Sequence, residues 1–254
     1  MPSSTPISAT YRLQFNKDFT LQSATSLLDY LFDLGVTHIY ASPIFRSRPG
    51  SSHGYDVIDP TRLNPEIGSE ADFSLFQEGL RKRGMGLVLD VVPNHMSASS
   101  ENAWWMDVLE NGPASAYASY FDIDWHPPSH NLDGKILLPV LGKPFGEALE
   151  EQELRVAFLE GRLFVQYFDA LFPLAPKSYA RVVGRGIAKL KETLGEDSPI
   201  YQEYSGIVAA MVSLTAPEPG WPGAVGEKRP QFESLRERLK YAVAANKDVQ
   251  RFLE

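Results

Sequence analysis

Between residues 9 and 92 the chain passes twice from strand-like to helix-like patterning and ends on a third strand, and this order constrains its fold more than any other feature. Ala9-Thr10-Tyr11-Arg12-Leu13-Gln14-Phe15 alternates as a strand does, after which Ala24, Leu27, Leu28, Leu31 and Leu34 recur at helical spacing until Gly35 closes the pattern. Val36-Thr37-His38-Ile39-Tyr40-Ala41 is β-rich and stops at Ser42-Pro43; a Gly-, Ser- and Pro-rich loop follows, then a second helix carrying Phe73, Phe76 and Leu80 to Gly84. Gly86-Leu87-Val88-Leu89-Asp90-Val91-Val92 is a nearly unbroken apolar run, the pattern of a strand covered on both faces. Strand, helix, strand, helix, strand predicts a parallel sheet in an α/β fold.

The rhythm changes beyond Pro93. Residues 121–125, residues 135–138, and the pair 154–158 and 163–167 around Glu160-Gly161 predict short antiparallel strands, the last two a hairpin. After Pro176 the pattern is helical, with Tyr179, Val182, Val183, Ile187, Leu190 and Leu194 in one stretch and Phe232, Leu235, Leu239, Val243 and Phe252 in another. Residues 215–230, crowded with Pro and Gly, predict a loop between helices. The expected organisation is three βα units over residues 1–95, then a long insertion over residues 96–254, with short strands to about residue 170 and mainly helices after it.

Composition narrows function by exclusion. At 254 residues and 43% apolar content, the chain has the length that one α/β barrel typically needs. It has no Cys, so a disulfide framework, a thiolate metal site and a Cys nucleophile are all ruled out, and a cytoplasmic setting is expected. With 32 Asp and Glu against 24 Lys and Arg, a net charge of -8 and no basic patch, nucleic acid is not an expected partner. Nor is a membrane: no apolar run is long enough to span one, and Met1-Pro2-Ser3-Ser4-Thr5-Pro6 lacks the basic-then-apolar pattern of an export signal. A neutral sugar suits this balance, because hydrogen bonds and aromatic stacking hold it without charge.

In parallel α/β folds, ligands sit at the carboxyl ends of the strands, where connecting loops are free to carry polar groups. Two such segments stand out: the loop containing His53-Gly54-Tyr55-Asp56, and Asp90-Val91-Val92-Pro93-Asn94-His95 after the third strand. Taken singly, their residues favour ordinary roles. A loop Tyr after Gly is more often packing, a strand-end Asp commonly accepts backbone bonds, and a lone His is more often half-buried and satisfied. Arg46 and Arg48 read as exposed loop arginines without a specific task. Trp104 and Trp105 are adjacent on a helix and point apart, so at most one faces a cleft. Asp122 and Asp124 fall on one face of an expected solvated strand and receive no catalytic role.

Together, the segments carry more. Residues 90–95 resemble the first signature region of the α-amylase superfamily, and His53-Gly54-Tyr55-Asp56 resembles the sugar-stacking loop that precedes it; the two in order and in strand context are far more specific than either alone. Within that superfamily, residues 9–15, 40–44, 50–57, 88–96, 104–112, 120–125 and 137–142 are similar to the N-terminal portion of the maltooligosyltrehalose synthase branch. The resemblance implies the first part of an α-amylase-type (β/α)8 TIM barrel, about three barrel strands, followed by a mixed and mainly helical insertion. It also implies a retaining reaction, in which one carboxylate attacks the anomeric carbon and a second carboxyl protonates the departing oxygen. In this branch the reducing-end α-1,4 bond of a maltooligosaccharide becomes an α,α-1,1 trehalose linkage by intramolecular transglucosylation, with water excluded because leakage gives hydrolysis.

By the same resemblance, Tyr55 stacks under the sugar whose bond is broken, His53 and His95 donate to its hydroxyls, Asn94 stands with them on the substrate side, and Asp90 supports the site. One Asn supplies no calcium coordination set, so no metal and no cofactor is expected. The superfamily's nucleophile belongs to a Gly-x-Arg-x-Asp sequence on the fourth strand, its acid/base Glu lies on the fifth and a further Asp on the seventh; this sequence contains no Gly-x-Arg-x-Asp. The catalytic carboxylates are therefore expected beyond Glu254, with the 254-residue chain inactive alone. An α-amylase-like hydrolase and a non-catalytic glucan-binding fragment are the alternatives. The expected partners are a maltooligosaccharide or α-1,4-glucan, and further copies of the chain, since an incomplete barrel exposes strand edges and apolar lining.

Overall fold

The N-terminal alternation folds into β1 (Thr10–Leu13), α1 (Leu21–Ser26), α2 (Leu28–Asp33), β2 (His38–Ala41), β3 (Phe45–Ser47), β4 (Val57–Leu63), α3 (Glu70–Lys82) and β5 (Gly86–Leu89). The computed structural model describes residues 6–215 and 228–253, so the expected loop over 215–230 lies almost wholly outside the described residues. Two compact units divide the chain, Met1–Ala103 and Trp104–Glu254.

In the first unit, β1, β2 and β5 form a parallel sheet in that order, with Arg12, Tyr40 and Val88 abreast. Alternation sends Leu13, Ile39, Ala41 and Leu87 to the opposite face, where they pack on Leu21, Ala24, Leu28 and Leu31 of α1 and α2 and on Phe76 and Leu80 of α3. Burial of each large side chain in that layer contributes about 1.5–3 kcal/mol. Among the described residues the helices pack on that face, and Arg12, Tyr40 and Val88 stand on the other. Among the described residues, β1 and β5 each pair on one side alone.

Local chemistry sets the element limits. A single helix was expected over Ala24, Leu27, Leu28, Leu31 and Leu34, but the chain breaks at Leu27, and Leu27 and Leu34 are exposed. Thr25 Oγ1 donates to Leu21 O (2.8 Å) and Ser26 Oγ to Ser23 O (2.7 Å), so hydroxyls compete with the amides for helix carbonyls just before the break. The buried stripe is instead Leu21, Ala24, Leu28 and Leu31. A capping box starts α3, with Asp72 N donating to Ser69 Oγ (3.2 Å) and Ser69 N to Asp72 Oδ2 (2.8 Å). β5 is shorter than the expected run to Val92: Asp90 N makes the last bond to the sheet, donating to Ala41 O (2.9 Å). The stretch read as a loop after Ser42-Pro43 is partly a hairpin, because β3 and β4 pair antiparallel with irregular register. β4 tolerates Pro60 because it has a partner on one side only.

The rest of the chain holds α4 (Ala103–Asn111), α5 (Phe145–Glu150), β6 (Leu154–Leu159), β7 (Arg162–Tyr167), β8 (Ala170–Pro173), α6 (Pro176–Val183), α7 (Ile187–Leu194), α8 (Pro199–Thr215), α9 (Arg229–Ala245) and α10 (Lys247–Leu253). The expected hairpin is β6–β7, turning through Glu160 and Gly161 at positive φ (50° and 82°) as a type I′ turn requires. β8 adds a third antiparallel strand. Residues 121–125 and 135–138 are corrected from strand to irregular chain. There Asp124 Oδ1 accepts from His126 N (3.0 Å) and Trp125 O from Gly134 N (2.8 Å), local bonds that bend the backbone away from any ladder.

The expected helix from Tyr179 to Leu194 is two helices, parted by Gly184 and by Gly186 at φ +75°. α8 is a further helix, burying Tyr204, Ile207 and Met211 against Tyr179, Val183, Phe232 and Leu239. A buried ion pair crosses this core. Arg236 Nη2 donates to Glu110 Oε1 and to Tyr179 Oη (3.0 Å), its Nη1 reaches Glu233 Oε1 (2.8 Å), and Arg162 Nη1 takes Glu110 Oε2 (2.9 Å). The Arg236 guanidinium lies over the Tyr179 and Phe232 rings at 4.8 and 4.9 Å. Among the described residues, no helix is long and apolar enough to cross a membrane.

Candidate functional site

Three elements of the first unit deliver donors to one carboxylate oxygen. Asp90, the residue after β5, accepts at Oδ2 from Tyr55 Oη (2.5 Å), Arg12 Nη1 (2.8 Å) and Tyr40 Oη (3.2 Å). Register explains the convergence: Arg12 and Tyr40 stand abreast of Val88, and Asp90, two residues beyond Val88, belongs to the same face. Tyr55 arrives from the β3–β4 connection. Arg12 Nη2 also donates to Tyr55 Oη (3.2 Å) and Gln14 Oε1 (3.4 Å), and its guanidinium sits 4.6 Å over the Tyr40 ring. Gln14 Nε2 in turn donates to Ser52 O (3.1 Å) and His53 O (3.4 Å).

The electrostatics follow from these contacts. The bond from Tyr55, joined by those from Arg12 and Tyr40, outweighs burial and holds the Asp90 carboxyl below its ordinary value. Its bond to Asp90 holds the Tyr55 phenol above its own. At neutral pH the cluster is therefore a carboxylate beneath a neutral phenol, with the guanidinium beside both.

The loop that brings Tyr55 over depends on Gly54. Its φ is +74°, and a Cβ there would stand 2.9 Å from Pro43 O, so both backbone conformation and close approach require glycine. Ser51 Oγ donates to Asp56 Oδ1 (2.5 Å) and accepts from Gly54 N (3.1 Å), closing the loop on itself. His53 lies beside Tyr55, with ring centroids 5.9 Å apart and planes at 19°, and His53 Nδ1 accepts from Tyr55 N (3.0 Å).

His53, Tyr55 and Asp90 are thus gathered at the strand ends. Asn94 and His95 are exposed and bonded to one another (Oδ1 to Nδ1, 3.2 Å), and neither is hydrogen-bonded to the Asp90 cluster. Arg48 makes a long ion pair with Glu101 (3.9 Å). Trp104 stacks on Tyr117 (5.1 Å, 9°), while Trp105 meets Phe121 (5.3 Å, 51°), so the adjacent pair does point to separate neighbours. Asp122 and Asp124 lie in irregular chain rather than on the expected strand. Among the described residues, no group of three or more His, Asp or Glu is assembled as a metal would need.

Arg12, Gln14 and Tyr40 are the members that residue-by-residue reading passes over. Their signal is parity: Arg12 and Gln14 alternate with Tyr11 and Leu13, and once β1, β2 and β5 are paired in parallel, Arg12, Tyr40 and Asp90 share a face.

Comparison with known proteins identifies the family. A family model described as the α-amylase catalytic domain matches residues 15–153. Over 180 residues the chain is 44% identical to a Mycobacterium tuberculosis protein described as a putative maltooligosyl trehalose synthase, covering 68% of this chain and 22% of that one. It is 42% identical over 107 residues to an intracellular maltogenic amylase of Bacillus subtilis, covering 42% of this chain and 18% of that one. A crystal structure of maltooligosyl trehalose synthase superposes with a TM-score of 0.60 at 41% identity, over 66% of this chain and 22% of the other. Maltooligosyltrehalose synthase from Arthrobacter ramosus gives a TM-score of 0.57 at 40% identity, over 67% of this chain and 21% of the other. The chain therefore spans about a fifth of the length of these synthases.

Proposed function

This chain belongs to the α-amylase family, its parallel strands being the opening part of that family's barrel, and from that premise we propose that it is the glucan-holding portion of a maltooligosyltrehalose synthase. The observation that carries the proposal is the convergence of Tyr55, Arg12 and Tyr40 on Asp90 at the carboxyl ends of three parallel strands, where ligands of such barrels sit. Tyr55 offers the ring on which the pyranose at the scissile bond rests. His53 and His95 donate to that sugar's hydroxyls, with Asn94 beside His95, and Asp90 holds Tyr55 from behind.

Bond cleavage is assigned to none of this chain's carboxylates. Asp90 is committed to three donors at one oxygen, and Asp122 and Asp124 lie in irregular chain. The attacking carboxylate and the acid/base of the retaining reaction are then supplied from outside these 254 residues. A maltooligosaccharide is the substrate and a cytoplasmic setting suits a chain without Cys.

Calorimetric titration of the chain with maltopentaose tests this reading. Saturable binding in the millimolar range or tighter is expected, weakened by Tyr55→Ala; an absence of heat at millimolar sugar would sink the proposal. A synthase, when complete, removes reducing ends, whereas an amylase creates them.

The unpaired outer edges of β1 and β5 carry a second expectation. Among the described residues no further strand pairs with either edge, which favours pairing with another chain. Light scattering should find assemblies larger than one chain, and a stable monomer across concentrations would refute self-association.

A further inference from the structure

We propose that Arg12 is a positioning residue for the sugar-holding loop, acting with Gln14, the residue just after the same strand, to fix the Tyr55 ring and the His53 backbone over the strand ends. The consequence for sugar binding rests on the glucan-holding reading; the positioning itself does not.

The loop between β3 and β4 gets its internal shape from its own residues, chiefly Ser51 and Gly54. Internal bonds do not fix where a loop stands on the sheet. Side-chain ties to the strands do that, and three are present: Tyr55 Oη on Asp90 (2.5 Å), Arg12 Nη2 on Tyr55 Oη (3.2 Å), and Gln14 Nε2 on Ser52 O and His53 O (3.1 and 3.4 Å). Two of the three come from β1 and the residue that follows it. Arg12 further braces Gln14 through Oε1 (3.4 Å), so both ties share one support.

Arginine suits this role where lysine does not. A planar fork bonds two partners in fixed relative position, here Asp90 Oδ2 through Nη1 and Tyr55 Oη through Nη2, whereas an ammonium is a point charge. The Tyr40 ring beneath the guanidinium fixes its plane. Without Arg12 the phenol keeps one bond instead of two, to a carboxylate that has lost its counter-charge. A ring that must offer one face at one height to a pyranose then has to be ordered by the sugar itself, and affinity falls by that cost.

The test uses the full chain with Arg12→Met and Arg12→Lys. Two properties are measured: maltopentaose affinity by calorimetry, and the titration of Tyr55 by NMR of ring-labelled tyrosine, assigned through Tyr55→Phe. In R12M, Tyr55 should titrate at higher pH than in the native chain, because a cation that favours the phenolate is gone while Asp90 remains, and maltopentaose should bind about tenfold more weakly. R12K should return the Tyr55 titration toward native yet recover the affinity only in part. A merely structural Arg12 would lower thermal stability and leave both readings in place, which overturns the proposal. Weaker binding in R12M with an unmoved Tyr55 titration also overturns it. If the native chain binds no maltopentaose, the glucan-holding reading fails, and the Tyr55 titration alone decides the role of Arg12. Should R12M fail to fold, R12K decides: native affinity in R12K overturns the proposal.

Discussion

Replacing Glu110 with alanine is expected to cost the second unit about 3–5 kcal/mol, because it strands a buried guanidinium. The Glu110 and Arg236 side chains are 2% and 4% exposed, and Glu110 is the partner that meets Arg236 deepest in the core. Arg236 Nε is already buried without a hydrogen-bond partner among the described residues, so losing the carboxylate adds to an existing shortage of acceptors around the guanidinium. The Tyr179 hydroxyl compounds the loss: it accepts from both Arg236 Nη2 and Leu163 N (3.0 Å each), so a guanidinium that moves to find water disturbs the start of β7 as well. Denaturant unfolding followed by circular dichroism measures the effect. Glu233→Ala is the comparison, since Glu233 bonds the same guanidinium (2.8 Å) from a site 39% exposed, and its loss should cost within about 1 kcal/mol. Equal costs for the two variants would show that burial of the Glu110 pair does not govern its contribution.

That network was invisible in the sequence for a physical reason. Glu110 and Arg236 lie 126 positions apart, and no local pattern marks an ion pair between a helix before the hairpin and one after it. What was legible depended on short-range periodicity. The apolar run 86–92 and the β-rich stretch 36–41 named two strands of the parallel sheet because their chemistry is repetitive, although β5 is only half-buried and not covered on both faces as its pattern predicts. Periodicity misled where two adjacent leucines offered two stripes: Leu27 and Leu28 fit one helix equally well, and the hydroxyls of Thr25 and Ser26 decided between them by breaking it. Residues 121–125 alternate as convincingly as a real strand, yet Phe121 is turned toward Trp105 and Asp124 toward its own backbone neighbour. The candidate site divided in the same way. His53, Tyr55 and Asp90 stand in segments whose composition is unusual by itself, whereas Arg12 and Tyr40 are ordinary strand residues until register places them beside Asp90, and Gln14, just after β1, is marked only by its bonds to the loop.

Gly86→Ala is expected to destabilise the first unit by about 3 kcal/mol, at the upper end of what overpacking costs. Gly86 lies opposite His38 in the β2–β5 register, and a Cβ there would stand 2.2 Å from His38 Cδ2 and 2.3 Å from Nε2. The ring has little freedom to yield. It is 8% exposed, and its Nδ1 lies 3.1 Å from Thr37 Oγ1, which itself donates to Ala9 O (2.9 Å) and accepts from Ala9 N (3.1 Å) at the entrance to β1. Swinging His38 aside therefore disturbs the β1–β2 junction, and keeping it in place pushes β5 away. In a His38→Ala background the obstacle is absent, so Gly86→Ala should be nearly neutral there, giving a coupling of the size seen for residues in contact. Equal costs in the two backgrounds would refute the steric account. The site supplies a second reading of the same cycle. Asp90 follows Gly86 along the β5 path, so a displaced strand carries Oδ2 away from Tyr55, Arg12 and Tyr40. Sugar affinity should fall in Gly86→Ala and return in the double variant, tying the close approach of Gly86 and His38 to the placement of the Tyr55 ring proposed to carry the glucan.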